Sequence, residues 1–197
     1  MDIGRGRSRE RPISEAGALW SAGQKWFDRK FDFNFGVDAY GSIYKRLKQA
    51  PDILQQLVLH LPEPMLVQQP QCKWSIKEHA GHLSVLEPVW RVRWHDILEK
   101  KPVLTAADLN NAATTDAGFN SYSISSLVER FLDERSQSLA LLDGVDALDE
   151  SLTSMHPRLQ QPMRVIDLAS FVADHDEHHL GMIQEIIRAL REGPKMV

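Results

Sequence analysis

Several features are scarce or missing in this 197-residue sequence, and each absence narrows what the protein can be. It has a single cysteine, Cys72, so neither an internal disulfide nor a thiolate metal site can form, and one unpaired cysteine is typical of a reducing cytoplasm. No apolar run approaches the roughly 20 residues of a membrane-spanning helix. The amino terminus shows no hydrophobic stretch of the signal-peptide type. We therefore predict a soluble, cytoplasmic protein with no membrane partner.

An excess of positive charge is also missing. The chain carries 23 Lys and Arg residues against 27 Asp and Glu residues, a formal net charge of -4. Nucleic-acid-binding domains usually present a basic surface instead. The arginine-rich stretch at 5–11 is a local exception, which we interpret as a solvated tail. Hydrophobic residues make up 43% of the chain, an ordinary share for a globular protein, so we predict a buried core and no nucleic-acid partner.

Hydrophobic spacing predicts a helical chain without a convincing strand. Residues 1–34 are rich in glycine, arginine and serine with scattered aromatics, which predicts a partly flexible N-terminal extension whose later aromatics, including Phe31, pack onto the domain. Residues 35–192 contain four amphipathic segments, which bury their apolar faces against one another as an all-α four-helix bundle. Long connections between the later helices permit a non-sequential arrangement. The predicted helices span about 38–61, 75–100, 123–142 and 165–191.

Prolines and a helix cap refine these boundaries. Pro51 and Pro88 lie inside predicted helices, and because proline lacks an N–H and clashes with the preceding turn, we expect a kink or a break at Pro51 and a kink at Pro88. The proline-rich stretch 62–72 is predicted to be a loop. Ser75 and Glu78 have the spacing of a capping box, which predicts that the second helix begins there.

The fourth predicted helix carries the strongest chemical signal. Its apolar stripe includes His175 and His179, which lie about 40° apart on one face and one turn apart along the axis. Two imidazoles at this spacing can reach one metal ion, whereas two buried histidines without partners would be costly. Spacing alone leaves a metal site and a pair of hydrogen-bonded core histidines equally open. His178 points about 100° away, toward the flank of the helix.

A third ligand has to come from another helix, and the second helix offers His79, His82 and Glu87. Glu87 occupies a stripe position, where a buried carboxylate needs a partner. Periodicity does not choose between His79 and His82. The acidic residues at 174, 176 and 177 are candidates to hold the second nitrogen of a metal-bound imidazole.

Two segments of the chain resemble the DinB/YfiT-like superfamily of bacterial four-helix-bundle metalloproteins. One is K-W-S-I-K-E-H-A-G-H-L-S-V-L-E-P-V-W at 73–90, and the other is H-D-E-H-H-L-G-M-I at 175–183. Their order and separation match the family, and the resemblance extends from about Phe35 to Arg191. It implies the fold already predicted from the helical pattern.

The resemblance also implies a set of metal ligands. In that family one histidine of the second helix, followed by leucine, and an H-x-x-x-H pair in the last helix hold the metal. Carried over position by position, these residues are His82, His175 and His179, so the resemblance favours His82 over His79. Three neutral imidazoles leave coordination positions open. Zinc or nickel suits imidazole ligands best, and iron or manganese is also compatible.

Three functions are open at this point, and the first follows from the resemblance. The family includes S-transferases and isomerases that use low-molecular-weight thiols, so the first expectation is a metal-dependent thiol S-transferase acting on small electrophiles, with His178 or Glu87 assisting proton transfer. The second is a metal-dependent hydrolase, in which the metal activates water. The third is a non-catalytic stress-response or binding bundle. Related bundles often pair through helix faces, so a homodimer is a further expectation.

Overall fold

The computed structural model describes residues 26–70, 73–144 and 149–192 of the chain. By its internal contacts the chain divides into two units, Met1–Lys30 and Phe31–Val197. The first is described only over 26–30, where Trp26–Asp28 form a single 3-10 turn. The predicted boundary between residues 34 and 35 stays a prediction. The arginine-rich start and Cys72 lie outside the described residues.

The second unit is mostly helical, as predicted. Short 3-10 turns at Val37–Ala39 and Phe119–Ser121 precede the first long helix and the third long helix. Over the described residues the helices are α1 (Tyr40–Val58), α2 (Glu63–Leu66), α3 (Ile76–Leu98), α4 (Ala112–Thr115), α5 (Ile124–Asp143) and α6 (Val165–Glu192). None of them combines the length and apolar character that crossing a membrane requires.

The four long helices α1, α3, α5 and α6 form the predicted bundle. Helix α3 packs against α5 and α6, and α1 packs against the same two helices. The order around the bundle is therefore α1, α5, α3, α6, so that α1 and α3 lie on one diagonal and α5 and α6 on the other. This is the non-sequential arrangement that the long connections permit. It brings α3 and α6, which carry the candidate ligands, side by side.

The hydrophobic core consists of the apolar stripes of these helices, and the stripes predicted from spacing are buried. Burying one large apolar side chain contributes about 1.5–3 kcal/mol, so the shared core holds the four helices together. Its fully or nearly fully buried members include Leu54, Val58, Ala80, Leu83, Leu127, Phe131, Ile183 and Ile186.

The structure decides between two alternatives at Pro51 and corrects the loop predicted at 62–72. Of the kink or break expected at Pro51, the break does not form, because α1 continues through this residue. Leu47, Leu54 and Val58 are fully buried on either side of it, and their burial offsets the hydrogen bond that proline removes. The stretch 62–72 is predicted to be a loop, but it contains the single helical turn α2. Helix α3 continues through Pro88, and the kinks expected at the two prolines stay predictions.

The structure also contains a small sheet that the sequence pattern does not predict. Strands β1 (Ser154–Met155) and β2 (Pro162–Met163) pair antiparallel, with Ser154 opposite Met163. Two-residue strands are too short to show an alternating pattern, which is why periodicity does not detect them. This hairpin lies just before α6.

The segment that leads into the bundle is attached to the beginning of α6. The rings of Phe31 and Phe171 lie 4.9 Å apart between centroids, which confirms the predicted packing of Phe31. Arg164 Nη2 donates hydrogen bonds to the carbonyl oxygens of Phe33 and Phe35, at 3.3 and 2.9 Å. These contacts fix the backbone of this segment next to the beginning of α6. The turns that carry the histidines come later along the helix and face the interior of the bundle.

Candidate metal centre

Two neighbouring helices present the candidate ligands to each other. Helix α3 begins at the predicted capping box, in which Ser75 Oγ accepts from the Glu78 N–H while the Glu78 carboxylate accepts from the Ser75 N–H. The cap satisfies donors that would otherwise be orphaned at the helix start. It sets the register of α3, so that His82, two turns further on, faces α6.

The side chains of His82, His175 and His179 converge on one point. Each offers a ring nitrogen that lies within 4.8 Å of the other two. His175 Nε2 is 3.3 Å from His82 Nε2 and 3.1 Å from His179 Nε2. All three residues are buried, with exposed fractions of 3 to 6%. The structure thus brings together the three residues that the resemblance implies.

The spacing of these nitrogens fits a metal ion. Zinc bound to histidine at 2.0–2.1 Å in tetrahedral geometry separates its ligand nitrogens by about 3.3 Å. The two short separations at His175 Nε2 are close to this value. Ring nitrogens at such distances need either a hydrogen or a cation between them, and one cation can lie between all three. The three nitrogens are therefore better suited to bind a divalent transition metal than to form only hydrogen bonds between core histidines.

The outward ring nitrogens of two candidate ligands have polar partners. His82 Nδ1 is 2.8 Å from the Thr114 hydroxyl, and His179 Nδ1 is 2.8 Å from His79 Nδ1. A lone pair on Nε2 requires the ring hydrogen on Nδ1, which then donates to these partners. Such contacts fix the tautomer and the rotation of an imidazole ligand. Thr114 belongs to α4, so the long connection between α3 and α5 supports the site.

Aromatic rings enclose the histidines. The half-buried Trp74 lies 4.7 Å from His82 and 5.9 Å from His179 between ring centroids. On another side, the buried Trp90 lies 5.6 Å from His175. Trp90 and Trp94 are both buried within the chain, as predicted for core residues. These rings limit how much water surrounds the centre.

Burial keeps the imidazoles of this cluster neutral. It lowers the pKa of His79 to about 4 and the pKa of His82 to about 3, and it lowers the pKa values of His175 and His179 well below 6.5. Neighbouring imidazoles add to the effect, because a charge on one opposes a charge on the next. At neutral pH protons therefore do not compete with a cation for the ring lone pairs.

Glu87 lies in a different buried cluster, on α3 beyond the histidines. Arg135 Nη2 donates to Glu87 Oε1 at 2.5 Å, and the Ser138 hydroxyl donates to Oε2, also at 2.5 Å. Arg135 Nη1 donates to Asp176 Oδ2 at 2.7 Å and to the Leu47 carbonyl oxygen at 2.9 Å. One guanidinium on α5 thus connects all four long helices. Glu87 has the partner that its buried position demands, and its proton-transfer role stays a prediction.

The other acidic residues near the histidine pair are bound by an arginine as well. Arg46 on α1 forms ion pairs with Asp174 and Glu177, each at 2.6 Å. His178 is half-buried, with its ring centroid 5.1 Å from that of His179. The proton-transfer role of His178 likewise stays a prediction.

The sequence did not reveal two residues that support the site, His79 and Thr114, or the partner of Glu87, Arg135. Sequence reasoning treated His79 and His82 as competitors, although residues three apart on a helix share a face and both rings face α6. Thr114 and Arg135 gave no local signal, because their partners are 32 and 48 positions away along the chain. The length of the 102–122 connection is a signal, since long connections in compact domains are often functional.

The fold and the site together define a class of protein: a four-helix bundle in non-sequential order, with three converging histidines between two adjacent helices. The family model described as the DinB superfamily matches residues 46–183. The chain therefore belongs to the DinB superfamily.

The bundle is also similar to a solved structure. YfiT from Bacillus subtilis matches with a TM-score of 0.71 and 17% identity, covering 81% of this chain and 92% of YfiT. YfiT is described as a probable metal-dependent hydrolase with an unusual four-helix bundle topology. At this level of identity the likeness shows a shared fold. Among curated proteins, none matches this sequence.

Proposed function

We propose that this chain is a metal-dependent enzyme that acts on a small-molecule substrate, with His82, His175 and His179 as the ligands of one divalent cation. The observation that carries the proposal is the convergence of three neutral imidazoles at separations of 3.1 and 3.3 Å. A closed structural zinc site usually has four protein ligands. Among the described residues, the group that could hold a metal contains only these three, which leaves a position for substrate or water.

We propose zinc or nickel as the cation, with iron or manganese as the other candidates, because imidazole nitrogen suits these metals. When bound, such a cation supplies Lewis acidity, which acidifies water or a thiol. The residues of this chain orient the imidazoles through Thr114 and His79 and limit access of water through Trp74 and Trp90. His178, beside the cluster, is the residue that we assign to proton transfer with the substrate.

Two reactions are compatible with this centre. Hydrolysis of a small ester or amide is the first candidate, and the shared fold with YfiT supports it. Transfer of a low-molecular-weight thiol to a small electrophile is the second. The neutral ligand set supports that reaction too, because a cation with three uncharged ligands keeps the full positive charge that stabilises a thiolate.

Metal content tests the proposed site directly. Elemental analysis of the untagged parent should find about one metal per chain, and His82→Ala, His175→Ala and His179→Ala should each lose it. The matched control is His95→Ala, an exposed histidine on the same helix as His82, which should retain the metal. A folded parent that holds no metal and cannot be loaded would contradict the enzyme proposal and leave a non-catalytic bundle as the leading function.

Turnover separates the two reactions. The metal-loaded parent should be assayed on ester and amide substrates without thiol, and on a model electrophile with each of several bacterial thiols. Hydrolysis without thiol supports the first candidate, and metal-dependent product only with thiol supports the second. His178→Gln should lower kcat in whichever assay gives product, while metal content stays unchanged. Unaltered kcat would remove His178 from the proposed mechanism.

A further inference from the structure

We propose that His79 is a positioning residue, which fixes the tautomer and the rotation of His179 by accepting a hydrogen bond from it. The proposal rests on the three-histidine site described above. It concerns a fourth imidazole that is not itself a candidate ligand. His79 Nδ1 and His179 Nδ1 lie 2.8 Å apart, and both residues are buried, with exposed fractions of 5 and 6%.

The direction of this hydrogen bond follows from the position of the other ring nitrogen of His179. His179 Nε2 faces His175 Nε2 at 3.1 Å, on the side where a cation would bind. A ligand nitrogen has to offer its lone pair, so the single hydrogen of neutral His179 resides on Nδ1. His79 Nδ1 is then the acceptor, and the hydrogen of His79 resides on its own Nε2. One contact therefore determines two tautomers.

His79 takes a place that a carboxylate often occupies in metal sites. The nearby carboxylates have other partners: Asp174 and Glu177 pair with Arg46, and Glu78 caps its own helix. An imidazole acceptor adds no negative charge behind His179. The hydroxyl of Thr114, which contacts His82 Nδ1 at 2.8 Å, adds none either. Both partners thus orient ligands without reducing the positive charge of a bound cation.

The packing around His79 holds the acceptor in place. Its ring lies 5.5 Å from Trp74 in an edge-on arrangement and 5.1 Å from His179 between centroids. Helix α3 supplies His79 and His82 from adjacent turns. The same rigid helix thus provides one candidate ligand and the hydrogen-bond acceptor for another, so the two cannot move independently. This is the preorganisation that a tight metal site requires.

Zinc affinity of matched variants tests the positioning role. His79→Leu removes the acceptor and retains apolar volume, whereas His79→Asn retains an acceptor oxygen near the position of Nδ1. Measured by chelator competition with Zn²⁺, His79→Leu should bind about 10- to 100-fold more weakly than the parent. His79→Asn should recover most of that loss, and the exposed control His95→Leu should match the parent. Equal Zn²⁺ affinity of His79→Leu and the parent would overturn the proposal.

A spectroscopic measurement on the parent covers the case in which His79→Leu does not fold. In the zinc-loaded protein, long-range ¹H–¹⁵N correlations should show His179 protonated on Nδ1 and His79 protonated on Nε2. A hydrogen on His79 Nδ1 would overturn the proposed acceptor role. A parent that binds none of Zn²⁺, Ni²⁺, Fe²⁺ and Mn²⁺ would overturn the metal site and the positioning role together. A parent that binds Zn²⁺ with the other His79 tautomer would overturn the positioning role alone.

Discussion

Two buried polar clusters lie next to each other in this bundle and are stabilised in opposite ways. The imidazole cluster (His79, His82, His175 and His179) consists of neutral rings, whose pKa values are lowered by burial. The ionic cluster (Glu87, Arg135, Ser138 and Asp176) consists of ion pairs of 2.5 and 2.7 Å that connect the helices.

The difference between the two clusters indicates where a ligand belongs. In the ionic cluster each carboxylate already has a cation, so its charge is used within the fold. In the imidazole cluster the ring nitrogens of His82, His175 and His179 lie within 4.8 Å of one another. A buried ion pair contributes to the structure, whereas several neutral imidazoles that converge in the interior form a candidate binding site. Asp176 and His175 are adjacent in sequence, yet they belong to different clusters.

The largest expected change in stability comes from a substitution that breaks the ionic cluster. Arg135→Met leaves the carboxylates of Glu87 and Asp176 buried without their guanidinium, which should lower the free energy of unfolding by about 3–5 kcal/mol. Denaturant unfolding of the metal-free protein measures this change. Arg130→Met, at an exposed position of the same helix, is the control and should stay within about 0.5 kcal/mol of the parent. Equal losses for the two variants would show that the ionic cluster does not stabilise the bundle.

A smaller effect tests the packing beside the imidazole cluster. Gly81 lies on α3 between His79 and His82, and an added Cβ would be 2.4 Å from the Phe119 ring. Phe119 is fully buried and belongs to the connection that carries Thr114. Gly81→Ala should therefore destabilise the protein by about 1–3 kcal/mol through overpacking. It should also weaken Zn²⁺ binding if the connection shifts Thr114.

Gly181 provides the matched control for this substitution. It lies on α6, where an added Cβ would point into open space. Gly181→Ala should stabilise the protein by about 0.5–1 kcal/mol, because alanine favours a helix over glycine. Denaturant unfolding compares the two variants. If Gly81→Ala stabilises the protein, the connection between α3 and α5 moves easily to accommodate the added methyl group. The connection would then not restrain the imidazole cluster.

The effect that is smallest at neutral pH, and that grows as the pH falls, concerns a buried histidine outside the imidazole cluster. His156 belongs to neither cluster, and its Nδ1 accepts from the backbone N–H groups of Arg158 and Leu159. Burial, followed by the charges of Arg93 and Arg158, lowers its pKa to about 3. The folded state therefore stays unprotonated at His156, while the unfolded state gains a proton below about pH 6.5.

This difference in bound protons makes stability depend on pH. The contribution of His156 is complete above about pH 6.5 and is lost as the pH falls toward 3. His156→Gln should flatten the dependence by up to about 1.4 kcal/mol per pH unit in that window. Unfolding of the metal-free protein at pH 7.5, 6 and 5 measures the slope, with His95→Gln as the exposed control. Identical slopes for His156→Gln and the parent would contradict the assignment.

Much of the fold follows from local pattern. The spacing of apolar residues predicts the four long helices to within about three residues at the described ends, and the Ser75–Glu78 cap is present as predicted. The continuous helix at Pro51 does not follow, because its stability comes from core contacts that the local sequence does not show.

The candidate site was predictable only in part. Helical spacing places His175 and His179 on one face, but it does not reveal which neighbouring helix completes the set, and family resemblance was needed to favour His82. Thr114, Arg135 and the support from His79 depend on residues distant in the sequence. The homodimer, the thiol and the identity of the metal stay predictions.

The sequence by itself determined the helices, their buried faces and the two histidines one turn apart, because these depend on the 3.6-residue period and on chain-local capping. Only the tertiary structure decided that α3 lies beside α6, that His79 and His82 both serve one cluster, and that Glu87 belongs to another. The physical reason is that helix spacing specifies which residues face inward. What they meet there depends on how the four helices are arranged around a shared core.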